Sequence, residues 1–479
     1  MEVGLGHKNQ LFIVCLRLTP QINFDKFPVL KKYFSSYWIR SAFYSILQRF
    51  SITLFGLVNF MVLIRSLSKP QMGVWALFLV VTSIFETTKS GLLKNAHVRY
   101  VSSSGDKLEK SVIASSSLLI NGAITALFIV FICFFANWMS KRLHSGVELA
   151  DMLRWFIPGL IGMVMFSHLE AIQQSHLDFK GVFAGYFVRQ VAFFLVILVH
   201  AVLKIPFSLS RLAMYQSICI FLGTGVLYFY SRPYLHHRFD PTRAWIKRII
   251  GYGGYIFSSG IVANIFSNLD QLMTAGFLSS TSVAYYSAAS RINQFIDVPS
   301  YAAAEVIFPK VSQASVEDGP NKVRYLYEKM VAILLCFTIP IALFIIIFPK
   351  FVITVIAGHQ YAAISAPILQ LYMLTGILRP MQNQSANLLN SIGKPALCFL
   401  INAISLAANL AINFTCLYYI GFYGAAIGTL ITCVLGMTAW YIIMQRQIGT
   451  RLSTIITYMG EFYQLLYKNG MNLLKLKKA

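Results

Sequence analysis

Ser267 to Ser315 reads SNLDQLMTAGFLSSTSVAYYSAASRINQFIDVPSYAAAEVIFPKVSQAS, two long apolar runs meeting near Ser279 with Asp270, Arg291, Asp297 and Glu305 set inside them. Insertion scales put a charged residue at the centre of a membrane helix at about 2.5–3.5 kcal/mol, so several on one hairpin imply an interior lined by protein and water. The remaining chain supplies the membrane setting that this reading requires. Hydrophobic residues make up 57%, aromatic 14% and charged only 12%, with mean hydropathy +0.64, whereas a soluble domain is about 25% charged.

Apolar runs of about 20 residues, long enough to cross a bilayer, recur near 41–66, 71–98, 112–138, 153–176, 181–203, 212–231, 249–277, 281–308, 330–348, 363–385, 395–419 and 424–445. The expected fold is therefore all-α, a polytopic membrane protein of about 12 transmembrane helices.

The net charge of +23 raises nucleic acid as a partner, but the placement of Lys and Arg decides against it. With the N-terminus cytoplasmic, roughly 26 of the 40 basic residues fall in cytoplasmic segments, about 8 outside and about 6 within spans, as the positive-inside rule requires. Their clusters, Lys31 with Lys32, Arg232–Arg248, Lys310–Lys329, and Lys475, Lys477 and Lys478, are separated by spans and form no continuous groove. They face anionic lipid headgroups.

The seven cysteines show no CxxC pair, and six lie in expected spans, where they act as apolar packing residues. The opening LFIVCLRLTP is interrupted by Arg17 and lacks an A-x-A-like cleavage site, so it reads as an extension before a membrane domain beginning near Val29.

Sliding the chain against itself by 211 residues matches Leu67-Ser68 with Leu278-Ser279, Trp75 with Tyr286, Glu86 with Asp297, Arg99 with Lys310, and Asn59 with Asp270. A repeat in this register relates a six-helix half to a six-helix half in the same orientation, with a cleft between the lobes as the substrate path. The expected organisation is a cytoplasmic segment (1–40), an N-terminal lobe (41–231), a basic cytoplasmic linker (232–248), a C-terminal lobe (249–446) and a basic cytoplasmic tail (447–479). In that tail Ile455, Met459, Phe462 and Leu466 fall near helical spacing, so an amphipathic helix on the cytoplasmic surface is expected. Pro158, Pro299, Pro340, Pro367 and Pro380 lie inside or near the ends of spans, where proline permits a bend.

Depth sorts the interior charges. Arg49 and Arg189 each sit about 12 Å from the cytoplasmic face, within snorkelling reach, and Lys94 and Glu170 lie toward the same side. Glu86 is about 21 Å from the outer end of its span, with Lys89 at i+3 for an intrahelical ion pair. Asp270 and Arg291, on consecutive helices, differ in depth by only about 5 Å, so a salt bridge between them is expected. Glu305 falls nearer the cytoplasmic rim, and Arg379 completes the interior set.

No Walker A, HExxH or GxSxG sequence is present, and Gly251-Tyr252-Gly253-Gly254 lacks the strand context of a dinucleotide site. No histidine has a partner at metal-ligand spacing, so no catalytic residue, metal or cofactor is expected.

Gly73-Val74-Trp75-Ala76, Gly91-Leu92 and Arg99-Tyr100 resemble the second helix of polysaccharide-lipid flippases of the Wzx type, and NLDQLMTAGFLSSTSVAYYSAASRI with FPKVS resembles their seventh and eighth helices. NLLNSIGKP, NLAINF and GFYGAAIGT resemble their eleventh and twelfth. The resemblance runs over nearly all of Val29 to Arg446 and places the chain in the superfamily of multidrug, oligosaccharidyl-lipid and polysaccharide exporters, the MOP superfamily, with two six-helix lobes around a central cavity.

That resemblance implies translocation of an undecaprenyl-pyrophosphate-linked oligosaccharide across the bacterial inner membrane by alternating access, for O-antigen or exopolysaccharide assembly, beside polymerase or other assembly proteins. It implies Arg291 as a headgroup contact, and Lys89, Arg49 and Arg189 are the further headgroup candidates. Glu86, Asp270 and Asp297 are the gating or ion-coupling candidates, with a proton or sodium as coupling ion. The alternatives are an ion-coupled exporter of drugs or organic cations with the same fold and a non-transporting membrane scaffold or glycosyltransferase partner. A glycan polymerase would carry a large outside loop, and none here exceeds about fifteen residues.

Overall fold

A helix in hydrocarbon satisfies all its backbone groups internally, and the described residues are built on that solution. The computed structural model describes residues 37–476 apart from 90–94, 105, 177, 236–238 and 318, and among these it is helical with no strand. The helices are α1 (Tyr37–Ser66), α2 (Lys69–Lys89), α3 (Asn95–Ser103), α4 (Lys107–Arg142), α5 (Glu148–Trp155), α6 (Ile157–Ser175), α7 (Phe179–Val202), α8 (Leu209–Ser231), α9 (Arg243–Phe277), α10 (Ser280–Glu317), α11 (Pro320–Ile347), α12 (Pro349–Ala357), α13 (His359–Ser391), α14 (Pro395–Ile420), α15 (Gly424–Ile448) and α16 (Leu452–Leu476).

Each of the expected spans overlaps a long helix, or in two cases a pair. The 71–98 run divides between α2 and α3, and residues 90–94 lie outside the described set. The 153–176 run is bent by 43° between α5 and α6, where Pro158 occupies the first turn of α6. Eight stretches, or nine with the bent pair, are long and apolar enough among the described residues to cross a membrane. α9 and α10 are absent from that set; α10 carries Arg291, Asp297 and Glu305. α10 runs uninterrupted through Pro299.

The described chain divides into two compact units, residues 37–71 with 78–260, and 72–77 with 261–476. The division falls inside α9 and not in the 232–248 linker. Residues 243–248 already form the first turns of α9, since nothing in RAWIKR interrupts a helix.

Within the first unit α1 packs on α7, and α8 packs on α5, α6 and α7. The α7–α8 crossing depends on glycine: a Cβ on Gly223 would sit 2.8 Å from the Gly185 carbonyl oxygen, the close backbone approach that small residues permit between membrane helices. α4 turns an apolar face outward, with Leu127 67% and Phe134 77% exposed, as a lipid-contacting helix requires.

In the second unit α13 is central, packed by α10, α11, α12 and α15, while α14 pairs with α15. The tail helix α16 forms as its spacing predicts, and it packs on α11: Phe462 meets Phe337 edge-on, and Tyr463 donates to the Cys336 carbonyl at 2.8 Å. In each half a short helix, α5 or α12, precedes the fourth long helix.

Candidate functional site

α9 carries Asp270 into a ring of neutral polar groups. Its carboxylate accepts from Tyr372 Oη on α13 at 2.8 Å, from Asn413 Nδ2 on α14 at 3.0 Å, and from Thr429 Oγ1 on α15. The expected salt bridge to Arg291 is not formed. Arg291, half-buried on α10, donates to Gln294 on its own helix at 3.3 Å. Residue counting gives position along a helix and not direction, and rotation about the helix axes points Asp270 at α13, α14 and α15.

The close seat of Asn413 requires Gly428, where a Cβ would lie 2.1 Å from Asn413 Oδ1 and 3.0 Å from its Cα. Asn413 Nδ2 also donates to Asn409 Oδ1 at 2.7 Å. Asn413 Oδ1 and Asn409 Nδ2 are buried without partners.

Asp297 on α10 pairs with Arg379 on α13 at 2.7 Å, with side chains 9% and 25% exposed. Asn293 joins them: with its amide turned to suit its neighbours, Oδ1 accepts from Arg379 Nη1 at 3.0 Å and Nδ2 donates to the Tyr372 carbonyl at 3.2 Å. A polar chain thus runs from Asp297 through Arg379, Asn293 and Tyr372 to Asp270, across α9, α10 and α13.

In the first unit Glu86 pairs with Arg189 on α7 at 3.3 Å, a cross-helix bridge; the expected i+3 partner, the Lys89 side chain, lies outside the described residues. Arg189 also lies over the Phe166 ring, 5.6 Å from its centroid, and reaches Met163 Sδ at 3.5 Å. Beneath it, buried Glu170 accepts from Tyr186 at 3.1 Å and Gln174 at 3.2 Å.

Glu86 and Asp297, matched by the repeat, each hold an ion pair within their own unit. The bases are not matched, since Arg189 lies on the fifth long helix of its half and Arg379 on the fourth. Asn59, the counterpart of Asp270, is buried with Oδ1 unpartnered. Arg49 is exposed on α1. Lys94 and the side chains of Lys89, Arg99, Glu305 and Lys310 lie outside the described residues.

Sequence reasoning placed the charges and missed their partners. Arg379 counted among interior charges but not among the site residues. Tyr372, Asn413 and Thr429 are neutral, and the one signal they offered was several polar side chains inside apolar runs.

The family model described as polysaccharide biosynthesis protein matches residues 62–366. An uncharacterised membrane protein in the cps region of Klebsiella pneumoniae is 21% identical over 432 residues, 89% of this chain and 85% of that protein. The probable flippase AglR of Haloferax volcanii is 24% identical over 314 residues, 58% of this chain and 63% of that protein. Among solved structures, lipid II flippase MurJ in an inward closed conformation matches with TM-score 0.73 at 15% identity, over 90% of this chain and 92% of that one. An inward-facing multidrug resistance MATE family transporter of the MOP superfamily matches with TM-score 0.72 at 13% identity, over 82% and 95%. At these identities the two structures show a shared all-helical transporter fold.

Proposed function

The chain belongs to the polysaccharide biosynthesis protein family, and we propose that this multi-pass membrane protein flips a lipid-linked oligosaccharide for cell-surface polysaccharide assembly. Among the matched proteins, AglR is a probable flippase, MurJ a lipid II flippase and the MATE protein a multidrug resistance transporter. The finer reading is an undecaprenyl-pyrophosphate carrier moved from the cytoplasmic to the outer leaflet of the bacterial inner membrane by alternating access, with both termini cytoplasmic.

The observation that carries the transport reading is the pair of ionisable networks, Glu86–Arg189 and Asp297–Arg379 with Asp270, held inside lipid-facing helices. Intramembrane charges of this kind mark transport paths. Arg291 is the headgroup contact, since a guanidinium engages phosphate oxygens bidentately and a low-dielectric setting strengthens the contact.

Asp270 is the coupling residue for a proton or sodium. A proton would sit on the carboxyl itself. Sodium, a hard cation, would draw on Asp270, Asn409, Asn413 and Thr429, and the unpartnered Asn413 Oδ1 fits an oxygen-donor set. Either ion would supply the driving gradient.

Arg291→Ala and Arg291→Lys, compared at equal expression for surface polysaccharide in cells lacking the native copy, test the headgroup assignment. Alanine is expected to abolish display and lysine to retain part of it. Undiminished display with alanine removes Arg291 from the mechanism.

A further inference from the structure

A polar cavity of about 320 Å³ lies wholly within the second unit, bounded by residues of α9, α10, α13, α14 and α15. Its size falls at the lower end of the roughly 300–1,000 Å³ range of small-molecule pockets. The chemistry of its walls is specific. Asp297 and Arg379 line one side, but at 2.7 Å they neutralise each other, so the cavity offers neither a spare cation for phosphate nor a spare acid for an organic cation.

Most of the remaining polar wall is amide, with the hydroxyls of Ser267, Ser405 and Thr432 beside it. Asn383 and Asn387, one turn apart on α13, face the cavity and make no side-chain hydrogen bond among the described residues. Gln382 donates to the Cys433 carbonyl at 2.7 Å, leaving its own carbonyl oxygen for another donor. Asn402 Nδ2 reaches only the Cys398 sulfur, at 3.6 Å. Trp440, 4% exposed, supplies an aromatic wall.

Asn383 and Asn387 are partly exposed on the cavity wall, so their amides stand open to a ligand. Each carries a donor and an acceptor side by side, the pattern that matches vicinal hydroxyl groups, and an indole complements the C–H face of a sugar ring. We propose that this cavity is a saccharide subsite that takes a neutral, hydroxylated ring of the transported glycan, separate from the pyrophosphate contact at Arg291. The proposal rests on the flippase reading and adds where the second unit reads the sugar.

The test uses full-length protein purified in detergent and two probes: bare undecaprenyl pyrophosphate, and the lipid-linked oligosaccharide extracted from cells that lack the protein and accumulate it. Native mass spectrometry measures binding of each. Asn383→Ala with Asn387→Ala removes no hydrogen bond seen in the structure, so its melting temperature should match wild type. It should weaken glycolipid binding roughly tenfold, as expected for two lost hydrogen bonds, and leave the bare lipid unaffected.

Gly436→Val is the second variant. A Cβ there meets only the end of the flexible Gln382 side chain, at 3.3 Å, so it fills the cavity without breaking the backbone, and it should act in the same direction. Unchanged glycolipid binding in both variants, or equal loss for both lipids, overturns the subsite. Failure of the wild-type protein to bind either lipid overturns the flippase reading beneath it.

Discussion

Removing the Arg379 guanidinium would leave the Asp297 carboxylate, 9% exposed, without its ion-pair partner. Breaking one side of a buried pair costs about 3–5 kcal/mol, and most of that cost is the stranded charge. Arg379→Met should therefore lower the unfolding free energy by that amount in detergent, and Asp297→Asn added to it should restore most of the loss. Equal losses in single and double variants would show that the pair is not what stabilises the site. At Asp270 the expectation differs, because the carboxylate is held by three neutral donors. Thr429→Val should leave the fold intact and reduce transport, read as surface polysaccharide at equal expression. Hydropathy exposed Asp270 and Asp297 because a charge stands out in an apolar run. Their partners were hidden because residue counting gives depth along a helix and not the direction in which a side chain points. Asp270 and Arg291 therefore face different neighbours.

At the scale of elements, helix spacing in the second unit is set by Gly428. A side chain there meets Asn413 backbone and amide at once, so Gly428→Val should force α14 and α15 apart, destabilise by about 1–3 kcal/mol and impair transport with it. Gly122→Val on α4, where a Cβ meets nothing within 4 Å, is the matched control and should melt like wild type. Comparable melting of the two variants would contradict the packing account. Span positions were legible because an apolar run of about 20 residues has few other uses. The extension of α9 back to Arg243 was not, since a basic segment reads as a linker whether or not it is helical. The docking of α16 on α11 was hidden for a related reason: an amphipathic period says that one face is covered and leaves open by what.

Across the molecule Glu86 and Asp297, aligned by the 211-residue register, each anchor an ion pair with a base on another helix. The register that aligns them also aligns Asn59 with Asp270, so one unit holds a buried amide where the other holds the carboxylate. Under the coupling role proposed for Asp270, that asymmetry would place coupling in the second unit, with Glu86–Arg189 a structural ion pair of the first.

Purified protein reconstituted into liposomes with a fluorescent lipid-linked oligosaccharide tests the central claim most directly. Probe protected in the inner leaflet should become accessible to an external quencher at a rate that depends on the protein, and Arg291→Ala should remove the acceleration. Accessibility no faster than in empty liposomes, while the same vesicles transport an organic cation such as ethidium, would contradict the flippase account in favour of an exporter of the same fold.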